Sequence, residues 1–244
     1  MDMHIERHGA GHEILFIHGS GCSSAIWHWQ KEYLQTSMEV VLIDLPGHGR
    51  SPGDGCGSVE EYGDAAYGAM KGSGSTGYYV AGHSLGGAIA MFLALSHPDA
   101  VKGIILIGTG ARLRVLPRIL EGILKEKERT LQDINALSFS KSAPAATREE
   151  ALKEMAASRP EVIHKDFTAC DRFDIMDSVG SIRVPALILC GEDDTLTPVR
   201  YSLFLKEKIA GSELTFIKHA GHMVMIEKPD EVNKAIEAFI KDCL

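Results

Sequence analysis

The feature that most constrains this chain is a series of short apolar runs, each separated from the next by enough residues to form a helix. Nearly every position in these runs is apolar, which is typical of strands that are buried on both faces. Strands of this kind occur mostly in parallel sheets, whose faces are both covered by helices. The sequence therefore predicts a mostly parallel sheet. The predicted strands cover residues 14–17, 40–43, 78–81, 103–107, 185–190 and 214–217.

Helices are predicted in the stretches between these strands. The last of them begins at Pro229 and Asp230, which are residue types favoured in the first turn of a helix. Alternating strands and helices, with helices on both faces of the sheet, place the chain in the α/β class. The predicted helices cover residues 25–35, 59–70, 84–96, 199–209 and 230–241.

The alternation stops between residues 111 and 179, where no strand-like run occurs. Ligands of open α/β sheets bind at the carboxyl ends of the strands, so a helical insertion at that edge is expected to act as a lid. We therefore predict an α/β core of residues 1–110 and 180–244 and a helical cap of residues 111–179. The apolar residues that fall at helical spacing in the cap are Leu113, Leu116, Ile119, Leu120, Ile123 and Leu124.

Length and charge limit the kinds of partner that the protein can have. A chain of 244 residues fits one large domain, or one domain with an insertion. Its 33 acidic and 25 basic residues give a net charge of −8, which repels phosphate backbones and anionic membranes. We therefore expect neither nucleic acid nor a membrane as a partner, and the sequence does not indicate an oligomeric state.

The cysteines and the apolar runs indicate the compartment. The five cysteines are scattered and include no C-x-x-C pair, which argues against a disulfide framework or a thiolate metal site. The apolar runs are far shorter than the ~18 residues that cross a bilayer, and residues 1–12 lack the apolar segment of a signal peptide. We predict a cytoplasmic protein with free thiols and no bound metal.

Two glycine-rich stretches resemble dinucleotide-binding loops. The stretch over residues 72–77 precedes a predicted strand, whereas a dinucleotide loop follows a strand and begins a helix. The stretch that begins at Gly19 does follow a strand, and Asp44 stands about where a ribose-binding acid would. However, the third glycine of such a loop is the one that allows helix and strand to pack closely, and this chain has Ser24 in its place. A nicotinamide oxidoreductase remains a less favoured alternative.

The nucleophile pattern G-x-S-x-G occurs twice, around Ser51 and around Ser84. This pattern needs a sharp strand-to-helix turn, because that turn exposes the serine oxygen at the edge of the sheet. Ser51 is followed by a turn-rich stretch with no helix. Ser84 follows the predicted strand 78–81 and is followed by an apolar helix, so Ser84 is the candidate nucleophile.

A serine nucleophile needs a histidine base and a carboxylate that orients it. The buried strand 185–190 is followed by Glu192, Asp193 and Asp194, of which we favour Asp194 while the other two remain alternatives. The last strand is followed by His219 and His222, and we favour His222 because it lies further out in a glycine-containing loop.

The oxyanion of an acyl-transfer intermediate needs hydrogen-bond donors as well. The backbone N–H of Leu85, directly after the candidate nucleophile, is one candidate. The other is the N–H of Ser20, which Gly19 and Gly21 would allow to approach the site. We assign no role to the remaining histidines, including His83.

These residues together resemble the α/β-hydrolase superfamily over nearly the whole chain. The resemblance implies that Ser84, Asp194 and His222 form a catalytic triad, and that the amides of Ser20 and Leu85 form the oxyanion hole. It implies no cofactor, and a sheet of seven or eight strands; the short segment before residue 14 leaves room for one further strand. The motifs that carry it are residues 18–21, 44–51, 82–87, 191–198 and 221–222.

The resemblance narrows the expected chemistry to acyl transfer. Relatives that open epoxides or remove halides carry aspartate in place of Ser84, and relatives that cleave carbon–carbon bonds usually show a bulky aromatic after the base, where this chain has Met223. We predict a carboxylic ester hydrolase for small esters, lactones or thioesters with an apolar acyl or alcohol group. The alternatives are a binding or signalling module with little turnover, a carbon–carbon hydrolase, or the oxidoreductase.

Overall fold

The computed structural model describes residues 3–244 and places seven strands and ten α-helices in them. The strands are β1 Ile5–Gly9, β2 Glu13–Ile17, β3 Glu39–Ile43, β4 Tyr78–His83, β5 Val101–Ile107, β6 Ala186–Gly191 and β7 Glu213–Ile217. The helices are α1 His28–Leu34, α2 Val59–Gly72, α3 Leu85–Ser96, α4 Pro117–Lys125, α5 Lys127–Ser138, α6 Ala145–Ala157, α7 Pro160–Arg172, α8 Val199–Lys208, α9 Val224–Glu227 and α10 Pro229–Asp242. A 3-10 helix, Ser24–Trp27, precedes α1.

The strands form one mostly parallel sheet, as the apolar runs predict. Their order is β1-β3-β2-β4-β5-β6-β7, and β1 alone pairs in the antiparallel sense within the described residues. All six predicted strands are present, and β1 is the additional N-terminal one. The sheet therefore has seven strands, within the range that the resemblance implies, and its parallel strands all end at the same edge.

Two apolar layers cover the faces of the sheet, because successive residues of a strand point to opposite sides. Val80 and Leu106 pack on one side with α2, α3 and α8, while Ala81 and Ile105 pack on the other with α1 and α10. All four side chains are fully buried. This double coverage explains why the central strands are apolar at every position.

The four helices α4–α7 lie between β5 and β6 and pack around a small apolar cluster of their own. The periodicity predicts a helix from Leu113 onward, but α4 begins at Pro117. Leu116 has an extended backbone (φ −65°, ψ 134°), because the ring of a following proline disfavours the helical conformation. Leu113 instead donates its backbone N–H to the carbonyl of Phe173 at the other end of the segment.

In the described part of the chain, every helix is too short or too polar to span a bilayer.

Candidate active site

Ser84 occupies a strained turn between β4 and α3. Its backbone has φ 53° and ψ −113°, a conformation that costs free energy for any residue with a side chain. The turn is held by a hydrogen bond of 3.0 Å from the Ser84 N–H to the carbonyl of Ile107. Glycines make the turn possible, since a Cβ at Gly82 would overlap the carbonyl of Gly86, and a Cβ at Gly86 would overlap that of Ile17. The serine predicted as nucleophile thus lies at the carboxyl edge of the sheet.

Leu85 is the first residue of α3, and its side chain is buried in the core. The first N–H groups of a helix have no partner within the helix and carry partial positive charge. The amide that follows Ser84 therefore belongs to a helix end suited to developing negative charge.

The Asp194 carboxylate pairs with His222. Its Oδ2 accepts a hydrogen bond of 2.9 Å from Nδ1 of His222, and its Oδ1 accepts the backbone N–H groups of Leu196 and Thr197 at 2.9 and 2.8 Å. Burial alone would raise the pKa of Asp194, but the interaction with His222 and these hydrogen bonds outweigh it and hold that pKa well below its usual range. Asp194 is therefore ionised at neutral pH.

The alternative side chains do not meet at this site. Glu192 and Asp193 are exposed to solvent, as is His219, whose backbone has φ 55°. Asp194 and His222 are both buried. The structure thus brings together one acid and one histidine of the two sets that the sequence left open.

Thr197 is a third member of this cluster that the sequence analysis missed. Its Oγ1 donates a hydrogen bond of 2.7 Å to Oδ2 of Asp194 and lies 3.2 Å from Nδ1 of His222. Asp194 is followed three residues later by threonine and then by Pro198, a pattern that favours a side-chain-to-backbone turn. This turn pattern is the sequence signal from which the contact between Thr197 and Asp194 could have been predicted.

His83 also contacts His222, although the sequence analysis gave it no role. Its Nε2 donates a hydrogen bond of 3.1 Å to the carbonyl oxygen of His222, and the two rings lie 4.6 Å apart. Burial, with the nearby His222 ring, holds the pKa of His83 well below its usual value. His83 is therefore a neutral donor that holds the backbone of His222 in place.

One cavity connects these residues. It has a volume of about 290 Å³, and Ser20, Ser84 and His222 all line it. No hydrogen bond between the Ser84 hydroxyl and the His222 imidazole occurs among the described residues, and in unliganded enzymes such catalytic hydrogen bonds are often long. Much of the remaining lining is apolar and includes Leu113, Val115, Leu116, Ile119, Ile134 and Phe167.

Ser20 lies in a tight turn over residues 19–22. The N–H of Cys22 donates to the carbonyl of Gly19 at 3.2 Å, and Gly21 has φ 68°, as the third position of a type II turn requires. The turn places Ser20 on the wall of the cavity that Ser84 lines.

Ser51 and Asp44 lie elsewhere and stabilise a loop. The Ser51 hydroxyl donates to the carbonyl of Asp44 at 2.6 Å, and the Asp44 carboxylate accepts the N–H groups of Ser24 and Arg50 at 2.8 and 2.9 Å. Both residues border a separate surface depression. Within residues 3–244, no three or more His, Cys, Asp and Glu side chains cluster in a way that could hold a metal ion.

Comparisons with known proteins agree over almost the full length of the chain. A sequence model described as the alpha/beta hydrolase family matches residues 14–235. A solved thermophilic esterase is 38% identical, with 98% of this chain and 99% of that one covered and a TM-score of 0.87. Est816, described as an N-acyl homoserine lactone degrading enzyme, is 27% identical, with coverages of 97% and 96% and a TM-score of 0.88. The pimeloyl-[acyl-carrier protein] methyl ester esterase of Vibrio vulnificus is 26% identical over 94% of each chain.

Proposed function

The chain belongs to the alpha/beta hydrolase family, and from that membership we propose that it is a serine hydrolase that cleaves small carboxylic esters, lactones or thioesters without a cofactor. One observation carries the proposal: His222, which is paired with the buried Asp194, lines the same apolar cavity as Ser84, whose backbone is strained. Relatives that cleave esters and a lactone support the same class of reaction.

The first half of the reaction forms an acyl-enzyme. The Nε2 atom of His222 takes the proton of the Ser84 hydroxyl as its oxygen attacks the carbonyl carbon of the substrate. The carbonyl oxygen becomes an oxyanion, which the N–H groups of Ser20 and Leu85 stabilise. The intermediate then collapses, and the leaving group departs with the proton that His222 carried.

The second half of the reaction releases the acid. His222 removes a proton from a water molecule, which attacks the acyl carbon and forms a second oxyanion at the same donors. Its collapse breaks the bond to Ser84 and returns the proton to the serine oxygen. The enzyme is regenerated with no change in oxidation state.

Asp194 sets the tautomer of the base. A carboxylate accepts hydrogen bonds only, so Nδ1 of His222 carries the proton that faces Asp194, and Nε2 is left free to act as the base. The negative charge of Asp194 also stabilises the imidazolium that forms during each half-reaction.

The shape and lining of the cavity indicate the substrate class. We propose that residues 111–179 form a cap, because Leu113, Val115 and Ile119 line the cavity from that segment. Ile123 belongs instead to the segment's own core. A cavity of about 290 Å³ with apolar walls fits a small ester with an apolar acyl or alcohol group.

Replacement of Ser84 tests the proposal. Ser84→Ala should remain folded and lose turnover of p-nitrophenyl acetate by at least about a thousandfold. Ser51→Ala, in the second copy of the serine pattern, is the matched control and should keep its turnover. A fluorophosphonate should label the wild-type protein once, at Ser84. Turnover unchanged in Ser84→Ala, or labelling at another residue, would refute the assignment.

A further inference from the structure

The carboxylate of Asp166 is a buried acceptor that the reaction described above does not use. Asp166 lies in α7, within the segment 111–179, and is completely inaccessible to solvent. Its two oxygens accept hydrogen bonds from three separate parts of the core. The donors are the backbone N–H of Gly21 at 2.8 Å, Nε2 of His48 at 2.8 Å, and the hydroxyl of Tyr62.

His48 is held as a cation beside this carboxylate. Its Nδ1 faces the carbonyl of Pro46 at 3.1 Å while its Nε2 faces Asp166, and both of these partners accept hydrogen bonds. Both ring nitrogens therefore carry protons. Burial opposes the charge, but the adjacent Asp166 carboxylate outweighs it and raises the pKa of His48. The neighbouring His18, 4.9 Å away between ring centres, stays neutral because burial lowers its pKa to about 4.

The Gly21 amide belongs to the turn that carries Ser20. Asp166 accepts the N–H of Gly21, and the hydroxyl of Ser158 donates to the carbonyl oxygen of Gly21 at 2.9 Å. Both contacts come from the segment 111–179. This segment therefore fixes the orientation of the peptide groups on either side of Gly21. A Cβ at Gly21 would lie 3.0 Å from the side chain of Met155, which shows how closely the same segment covers the turn.

We infer that Asp166 is a positioning residue for the oxyanion hole: its carboxylate holds Gly21 so that the adjacent Ser20 amide stays directed at the reacting carbonyl oxygen. The inference rests on the proposed function. Because Asp166 lies in the segment 111–179, this amide is held in place only while that segment is docked on the core. Docking of the proposed cap and assembly of the oxyanion hole are thus one event.

An uncharged side chain of the same shape cannot replace this carboxylate. Asparagine has one acceptor oxygen in place of two, and its NH₂ group would face a donor. Asp166→Asn therefore releases at least one of the three donors. Oδ2 accepts both the Gly21 N–H and Nε2 of His48, so an asparagine whose NH₂ group stands at that position leaves the Gly21 N–H without an acceptor.

The test compares Asp166→Asn with Asp54→Asn. Asp54 pairs with Arg159 at 2.9 Å, so its replacement also removes a contact between the core and the start of α7, but it does not touch the turn. Rates are divided by the fraction of protein that a fluorophosphonate labels at Ser84. Two inhibitors are used: a trifluoromethyl ketone, which forms an oxyanion on reaction with Ser84, and the corresponding carbinol, which cannot.

Asp166→Asn should lower kcat about 30-fold and leave KM within about twofold, because the lost contact acts on the transition state. The inhibition constant of the trifluoromethyl ketone should rise by a similar factor, while that of the carbinol should not change. Asp54→Asn should leave kcat, KM and the inhibition constants of both inhibitors at wild-type values. A purely structural role for Asp166 would lower thermal stability without separating the two inhibitors, and that result would overturn the inference.

Ser158→Ala covers the case in which Asp166→Asn does not fold. It removes the second contact to Gly21 and should lower kcat and weaken the ketone about threefold; equal binding of the ketone to this variant and to wild type would overturn the inference. Failure of the proposed function looks different. In that case the wild-type protein itself shows neither Ser84 labelling nor ester turnover that depends on Ser84.

Discussion

Nδ1 of His222 lies 2.9 Å from Oδ2 of Asp194, although the two residues are 28 positions apart in the chain. They follow β6 and β7, two adjacent parallel strands that end at the same edge of the sheet. The pairing of these strands therefore brings the Asp194 carboxylate to the His222 imidazole, and Ser84 follows β4, which ends at the same edge of the sheet.

Removal of the Asp194 charge should impair the reaction without unfolding the protein. Asp194→Asn would allow the wrong tautomer of His222, so we expect kcat for p-nitrophenyl acetate to fall by about a thousandfold or more. Asp193→Asn is the matched control, because Asp193 is exposed and should leave kcat unchanged. Equal losses in the two variants would contradict the assignment of the acid.

The turn at Ser84 should not tolerate a side chain at Gly86. A Cβ there would overlap the carbonyl of Ile17, so Gly86→Ala should lower the free energy of unfolding by about 2–4 kcal/mol. Gly68 lies within α2 with open space around it, and Gly68→Ala should instead raise that free energy by about 0.5–1 kcal/mol. Urea denaturation measures both free energies of unfolding. An unchanged free energy of unfolding for Gly86→Ala would show that the turn is not tightly packed.

Ile119 should limit the size of the substrate. It lines the cavity, so Ile119→Trp should lower kcat/KM for p-nitrophenyl octanoate about tenfold and leave the acetate nearly unchanged. Leu124→Trp, on the same helix but 52% exposed, should change neither ester. An identical chain-length profile in wild type and Ile119→Trp would place the acyl group outside this cavity.

His48 should make stability depend on pH. Its pKa is raised in the folded protein, so the stabilisation is fully present below its unfolded value of about 6.5 and is lost as pH rises through the folded value. The groups around it are Asp166, Tyr62 and His18, and burial with the Asp166 charge raises the pKa of Tyr62 as well. The free energy of unfolding of the wild-type protein, measured by urea denaturation, should therefore fall as the pH rises above 6.5. His48→Gln should show a smaller fall. Parallel pH curves for the two proteins would argue against a buried cation.

Local patterns predict much of this fold. The apolar runs over residues 14–17 and 103–107 identify strands because double burial requires an apolar residue at every position, whichever neighbour the strand pairs with. The same reasoning misplaces the start of α4, since periodicity from Leu113 gives no weight to the steric restriction that Pro117 places on Leu116.

For the site as well, some features can be predicted from the sequence and others depend on the tertiary structure. The sequence by itself determined the class of the fold and the turn at Ser84, because strand burial and a glycine-flanked strand-to-helix turn depend on neighbours in the chain. Only the tertiary structure decided which of three consecutive acids meets His222. It also brought Asp166 to Gly21, 145 positions away. Burial and hydrogen bonding across such distances depend on how strands and helices pack in three dimensions, which local spacing does not encode.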